Sequence, residues 1–162
     1  MVREAYIALG SNLGDRELNL LRAVAEIGRL PLSRVTALSP FYETSPVGNK
    51  NQEAFYNAVL RLSTFLDPRD LLTLLLNIET ECFKRVRAEP WGPRRMDLDL
   101  LLYDSLTVAE TDLVIPHPRL AERRFVLQPL CDIAPNLIHP LNGRSMAELL
   151  TALETDETVV KL

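Results

Sequence analysis

The chain has 162 residues, 47% hydrophobic and 25% charged, with a formal net charge of −4. That length suits one domain with a sizeable core, and a single domain over residues 1–162 is expected. The acidic balance argues against a general binder of nucleic acid or anionic membrane, so an anionic ligand has to be held by a local basic patch. Cys82 and Cys131 form no CxxC pair and have no histidine pair nearby, which disfavours a zinc site or a disulfide framework. No run approaches 18 apolar residues, so no membrane span is expected. The opening MVREAYIALG is too poor in apolar residues for a signal peptide. The cytoplasm is the expected compartment.

Taken in chain order, Ala5–Leu9 reads as a first strand that runs into a GSNLG turn, Gly10–Gly14. Asp15 can cap the helix that follows, where Leu20, Val24 and Ile27 recur at i, i+4 and i+7. Ser33–Thr44 and Glu53–Thr64 are rich in β-branched and aromatic residues and read as strands, joined by the loop SPVGNKNQ at 45–52. Asp67 followed by Pro68 is a cap and then a proline at the first helical position. Leu71, Leu74, Leu75, Ile78 and Cys82 then trace one stripe of that helix. A polar loop runs from Lys84 to Arg95 and leads into a strand that starts at Asp97. SMAE at Ser145–Glu148 has capping-box spacing and opens a last helix. The order strand, helix, strand, strand, helix, strand is the split βαβ pattern of a ferredoxin-like α+β domain.

The stretch WGPRRMDLDLLLY, Trp91–Tyr103, carries the chemistry. Its leucines make a buried strand, yet Asp97 and Asp99 sit at its start. Residues two apart on a strand share a face, about 7 Å apart. Both carboxylates therefore point one way, with Leu98, Leu100 and Leu102 expected on the other. Two like charges at the edge of an apolar face are costly unless compensated. Just upstream lie Lys84, Arg85, Arg87, Arg94 and Arg95 against the single acid Glu89. Such a loop can neutralise the aspartates directly. Equally, phosphate transfer calls for hard oxygen ligands for Mg²⁺ and guanidinium forks for phosphoryl oxygens.

Other candidates are weaker by themselves. GSNLG precedes a helix as phosphate-cradling loops do, but lacks the GK[ST] ending of a P-loop, so a plain strand-to-helix turn is favoured. His117, in IPHP at 115–118, can donate to a phosphate; His139 has no partner nearby in sequence. Phe55 and Asn57 share one strand face, opposite Tyr56, Ala58, Leu60 and Leu62. An aromatic beside an amide offers a flat heterocycle a stacking surface and a hydrogen-bonding edge, although core packing explains Phe55 equally well.

The WGPRRMDLDLL run resembles the signature of the 6-hydroxymethyl-7,8-dihydropterin pyrophosphokinases. YIALGSNLG at 6–14, FYETSP at 41–46, IPHP at 115–118, RRF at 123–125 and PLCDIAP at 129–135 resemble further blocks of that family in the same order. The resemblance implies a ferredoxin-like α+β fold, a central antiparallel sheet with helices on both sides in three layers. It implies transfer of the pyrophosphoryl group of ATP to the pterin's hydroxymethyl group, with release of AMP, in folate biosynthesis. Asp97 and Asp99 match ligands of two Mg²⁺ ions that accompany ATP, and Arg85 and Arg94 match loop arginines acting on the phosphates, with Lys84 as an alternative to Arg85. The pterin is expected between Phe55 and Phe125, with Asn57 on its edge, the backbone from Thr44 through Pro46 to Val47 beside it, and Trp91 near. Leu72, Glu79, Arg87, Trp91, Arg94, Leu100, His117 and Arg123 match nucleotide-side positions. ATP and the pterin are the expected partners, with no nucleic acid or membrane, and a monomer is expected.

Two other readings compete. RNA-recognition domains share the βαββαβ order, but the acidic balance and the lack of an RNP-type aromatic pattern count against one. A two-metal phosphohydrolase could use the same aspartates, but further carboxylate or histidine ligands are not obvious in the sequence.

Overall fold

The computed structural model describes residues 1–45, 51–84 and 94–162. The first strand, β1 (Arg3–Ser11), is longer than its apolar centre suggested. Helix α1 (Arg16–Gly28) begins where the sequence placed it: Leu18 N donates to the Asp15 side chain at 3.1 Å, and Leu20, Ala23 and Ile27 are buried. Asp67 caps α2 (Pro68–Asn77) in the same way, accepting from Asp70 N at 2.8 Å, with Pro68 in the first turn. The helix continues into a single π turn at Ile78–Cys82.

The stretch expected as one strand, Ser33–Thr44, is two: β2 (Ser33–Leu38) and β3 (Tyr42–Thr44). Both pair with β4 (Phe55–Thr64), but Leu38 lies opposite Leu60 while Tyr42 lies opposite Asn57. The first strand advances four residues where its partner advances three, so one residue is extra. Pro40 cannot donate to a ladder, and the break falls there. Ser39 bridges it, donating its N–H to Val59 O and accepting Val59 N at Oγ, both at 2.9 Å.

The aspartates begin β5 (Asp97–Tyr103). A short hairpin of β6 (Val108–Ala109) and β7 (Val114–Ile115) follows, then a 3₁₀ turn at Leu120–Glu122 and α3 (Arg124–Ile133). Helix α4 (Met146–Ala152) carries the expected capping box between Ser145 and Glu148, and β8 (Val159–Lys161) closes the chain. The six-stranded antiparallel sheet runs β5-β1-β4-β3-β8, with β2 also on β4. One face packs Ala5, Ile7, Leu9, Leu60 and Leu62 against Leu20 and Ile27 of α1 and Leu71 and Leu75 of α2. The other packs Tyr6, Val59 and Leu101 against Val126, Leu127 and Leu130 of α3 and Met146 and Leu149 of α4. This is the three-layer ferredoxin-like α+β arrangement that the sequence suggested.

Strand β5 departs from simple alternation. Leu98 and Leu100 pack into the core beside α1 and α2, but Leu102 joins Leu101 on the other side. The pairing with β1 slips between Tyr6 and Ile7, opposite Leu102 and Leu100, so Leu101 is an extra residue and the faces exchange. The expected position of Leu102 is therefore corrected by a bulge. The two aspartates precede it and do share a face. Among the described residues no helix is long and apolar enough to cross a membrane.

Candidate active site

A cleft opens on the α3 side of the sheet, at the end where β1, β4 and β5 come together. It is lined by Ala8, Leu9 and Gly10 of β1, Thr44 and Ser45 at the end of β3, Phe55 and Asn57 of β4, and Asp97 and Asp99 of β5. Arg94 reaches in from just before β5, and Arg123 and Phe125 from the start of α3. The space between these residues is about 580 Å³, the open solvent at its mouth included.

Register explains the layout. Gly10 lies opposite Asn57 on one side and Asp97 on the other. The amide and the first carboxylate are thus two strand spacings apart, roughly 10 Å. The residue between them has to be small. A Cβ on Gly10 would stand 2.8 Å from Asn57 Nδ2 and 3.6 Å from Phe55 Cδ1. Glycine lets the Asn57 amide lie across β1. Thr44 Oγ1 donates to Asn57 Oδ1 at 2.7 Å, which fixes the amide's orientation and leaves its N–H groups directed to the cleft.

The charge on the aspartates is met by arginine. Arg94 Nη1 pairs with Asp97 Oδ2 at 3.2 Å, both side chains half-buried. Arg123 lies in the field of Asp99 and Asp97, and burial holds its guanidinium below the usual arginine range. Its guanidinium carbon stands 5.5 Å from the centre of the Phe125 ring, within cation–π range. Among the described residues no group of three or more His, Cys, Asp or Glu is gathered as a metal cluster. Asp97 and Asp99 form a pair of hard oxygen donors, a set that fits Mg²⁺ completed by phosphate oxygens or water.

His117 lies beside this wall rather than in it. Burial lowers its pKa from 6.5 to about 4, reinforced by Arg123 and opposed by Asp97. Arg119 N donates to its Nδ1 at 3.2 Å, so the neutral ring carries its proton on Nε2. Glu79 is 0% exposed and accepts Leu98 N at 2.7 Å, along the outer edge of β5. Leu100, 5% exposed, and the half-buried Leu72 pack in the α1–α2 core, so neither side chain lines the cleft. Pro46, Val47, Arg85, Arg87 and Trp91 lie outside the described residues.

Asn12 does not stand out in the sequence. The GSNLG segment reads as a turn, yet Asn12 is 2% exposed and joins three segments. Arg94 N donates to its Oδ1 at 2.7 Å, and its Nδ2 donates to Gln52 Oε1 at 2.8 Å and Glu53 O at 3.1 Å. The available signal is an asparagine inside a glycine turn that follows a buried strand, because a buried amide has to find partners. Gly10 is likewise a cleft residue that sequence pattern does not mark, while Ser45 falls inside the stretch from Thr44 to Val47 expected beside the pterin.

The family model described as 7,8-dihydro-6-hydroxymethylpterin-pyrophosphokinase matches residues 6–135. The chain belongs to this pyrophosphokinase family. It is similar to the 2-amino-4-hydroxy-6-hydroxymethyldihydropteridine pyrophosphokinase of Bacillus subtilis, 42% identical over 158 residues, covering 98% of this chain and 89% of the relative. The enzyme of that name from Pseudomonas aeruginosa is 43% identical over 152 residues, covering 94% and 93%. Among solved structures, wild-type HPPK-DHPS of Plasmodium falciparum with pterin and p-hydroxybenzoate superposes with a TM-score of 0.74 at 17% identity. The match covers 93% of this pyrophosphokinase-family chain and 43% of that longer one, and it shows the shared fold.

Proposed function

We propose that this chain transfers the β,γ-pyrophosphoryl group of ATP to the hydroxymethyl oxygen of 6-hydroxymethyl-7,8-dihydropterin and releases AMP, a step of folate biosynthesis. One observation carries the reading beside family membership. The same cleft places a stacking pair and an amide, Phe55, Phe125 and Asn57, beside a carboxylate-and-arginine cluster, Asp97, Asp99, Arg94 and Arg123.

The pterin ring lies between Phe55 and Phe125, and the Asn57 amide meets its hydrogen-bonding edge. Thr44 holds that amide in place, and Thr44, Pro46 and Val47 complete the pocket. The two-strand separation between Asn57 and Asp97 spans the distance from the recognised edge to the reacting substituent. Asp97 and Asp99 would hold two Mg²⁺ ions, which would supply charge neutralisation for the triphosphate. The hydroxymethyl oxygen attacks the β-phosphorus, the bond from that phosphorus to the α,β-bridging oxygen breaks, and AMP departs with the electron pair. The hydroxyl proton leaves to solvent.

Arg94 and Arg85 donate to phosphate oxygens as charge shifts toward the leaving AMP. Arg123 and neutral His117, donating through Nε2, support the nucleotide side with Arg87 and Trp91. Glu79 acts there from beneath by holding Leu98 N, and Leu72 and Leu100 pack in the core under the aspartate strand. A monomer suffices, since both sets of residues come from one chain. Identification of the nucleotide product tests the reading: AMP supports it, ADP or inorganic phosphate contradicts it.

A further inference from the structure

The segment after α4 lies beyond the residues that the family model matches, yet it touches both walls of the cleft. Glu157 Oε1 accepts Arg124 N at 3.2 Å in the first turn of α3, where the helix's own N-cap residue, Arg123, supplies no side-chain cap. Arg124 Nη2 also donates to Leu153 O at 3.3 Å. One residue further on, the tail grips the opposite wall. Ser45 N donates to Thr158 O at 3.1 Å, Thr158 N donates to Ser45 Oγ at 3.3 Å, and Val159 pairs with Thr44. At its far end α3 is tied to β3 directly, by Tyr42 donating to Asp132. At the cleft end, among the described residues, the hydrogen bonds linking the first turn of α3 to the β3 edge run through the tail.

We infer that the C-terminal segment is a strap setting the spacing of the two cleft walls, and that Glu157 is a positioning residue for the pterin. Loss of the Glu157–Arg124 bond frees the turn that carries Arg123 and Phe125 while leaving Phe55 and Asn57 in place. Thr155 Oγ1 donates to the same Oε1 at 3.2 Å and so orients the carboxylate. Glu157 Oε2 is buried and makes no hydrogen bond among the described residues. A buried carboxylate oxygen without a partner is a cost, and a cap kept only for stability does not require it.

The inference rests on the pterin reading of the cleft, and the test separates the two. Glu157→Ala and Glu157→Gln are made in the full chain. Binding of 6-hydroxymethyl-7,8-dihydropterin is titrated by fluorescence, turnover at saturation and ATP binding are measured in parallel, and melting is recorded. Glu157→Ala is expected to weaken pterin binding about five- to tenfold, the scale of one lost helix-capping bond, with ATP binding falling by no more than that, since the freed turn also carries Arg123. Glu157→Gln keeps the acceptor for Arg124 N and is expected to restore pterin binding to within about twofold. Parental pterin affinity in Glu157→Ala overturns the inference. So does equal weakening in both variants, or a loss of ATP binding larger than the loss of pterin binding. A parent chain that makes no pyrophosphorylated pterin contradicts the proposed function instead.

Discussion

Asn12 and Arg94 hold each other by two hydrogen bonds: Arg94 N donates to Asn12 Oδ1 at 2.7 Å, and Asn12 N donates to Arg94 O at 2.9 Å. Through Nδ2 the same side chain holds Gln52 and Glu53, the residues leading into β4. One amide at the end of β1 therefore registers the start of the carboxylate strand against the start of the Phe55–Asn57 strand. Asn12→Ala leaves backbone groups ahead of both strands without their partner, which costs about 1–3 kcal/mol for each buried group affected. It also releases Arg94 from its position beside Asp97. A fall in kcat of about 10- to 100-fold is expected, since small misplacements of positioned groups carry penalties of that size. Steady-state kinetics and urea unfolding check this, and near-parental kcat would show that the clamp is structural only.

Asp97→Ala and Asp99→Ala are each expected to remove most activity, by about 10²-fold or more, while the fold persists. Their stability effects should differ. Asp97→Ala loses a half-buried pair with Arg94. Asp99→Ala removes a charge that faces Arg123 but also relieves repulsion between two carboxylates on one strand face, and is expected to be the milder of the two without metal. Thermal melting with and without Mg²⁺ and ATP reads both effects. Near-normal turnover in either variant would remove that aspartate from the metal site.

Arg94 and Phe125 line one cleft but are assigned to different steps. Arg94→Ala is expected to slow the chemical step by on the order of 10²-fold with little change in pterin binding. Phe125→Ala should weaken pterin binding and affect the saturated chemical step less. Single-turnover kinetics with a separate pterin titration distinguishes them. If Arg94→Ala mainly weakens pterin binding, its assigned role is wrong.

The folded pKa of His117 is about 4, below its ordinary 6.5, because burial disfavours the charged ring. Between those values the unfolded chain binds the extra proton and the folded chain does not. Stability tied to His117 is therefore fully present above pH 6.5 and is lost as pH falls toward 4. Burial lowers the pKa of His139 too, so it acts in the same direction. Melting temperature should fall across this window, and His117→Gln should flatten part of the slope. An unchanged slope in that variant would contradict a buried neutral His117.

Local chemistry is readable wherever one residue type decides a structure. Asp15, Asp67 with Pro68, and the Ser145–Glu148 box mark helix starts in sequence and in space. The shared face of Asp97 and Asp99 follows from strand periodicity alone. The bulge that turns Leu102 over does not, because it depends on how β5 pairs with β1. Helix α3 is hidden in the sequence because Pro129 sits inside it, and a proline in a helical pattern normally ends it. Strand β8 is three residues long and is held by pairing with β3, a contact that local pattern cannot anticipate. In the site, Phe55, Asn57, Arg94 and the aspartates carry recognisable chemistry. Gly10 and Asn12 matter through close approach and linkage, which emerge only once β1, β4 and β5 are side by side.

The most direct measurement follows the phosphorus atoms. The chain is incubated with Mg²⁺, 6-hydroxymethyl-7,8-dihydropterin and ATP labelled at the β-phosphorus, and the products are separated. Pyrophosphoryl transfer predicts label in the pterin product and unlabelled AMP in equal amount, dependent on both pterin and Mg²⁺. Label remaining in ADP, or released as phosphate without pterin, would contradict the account.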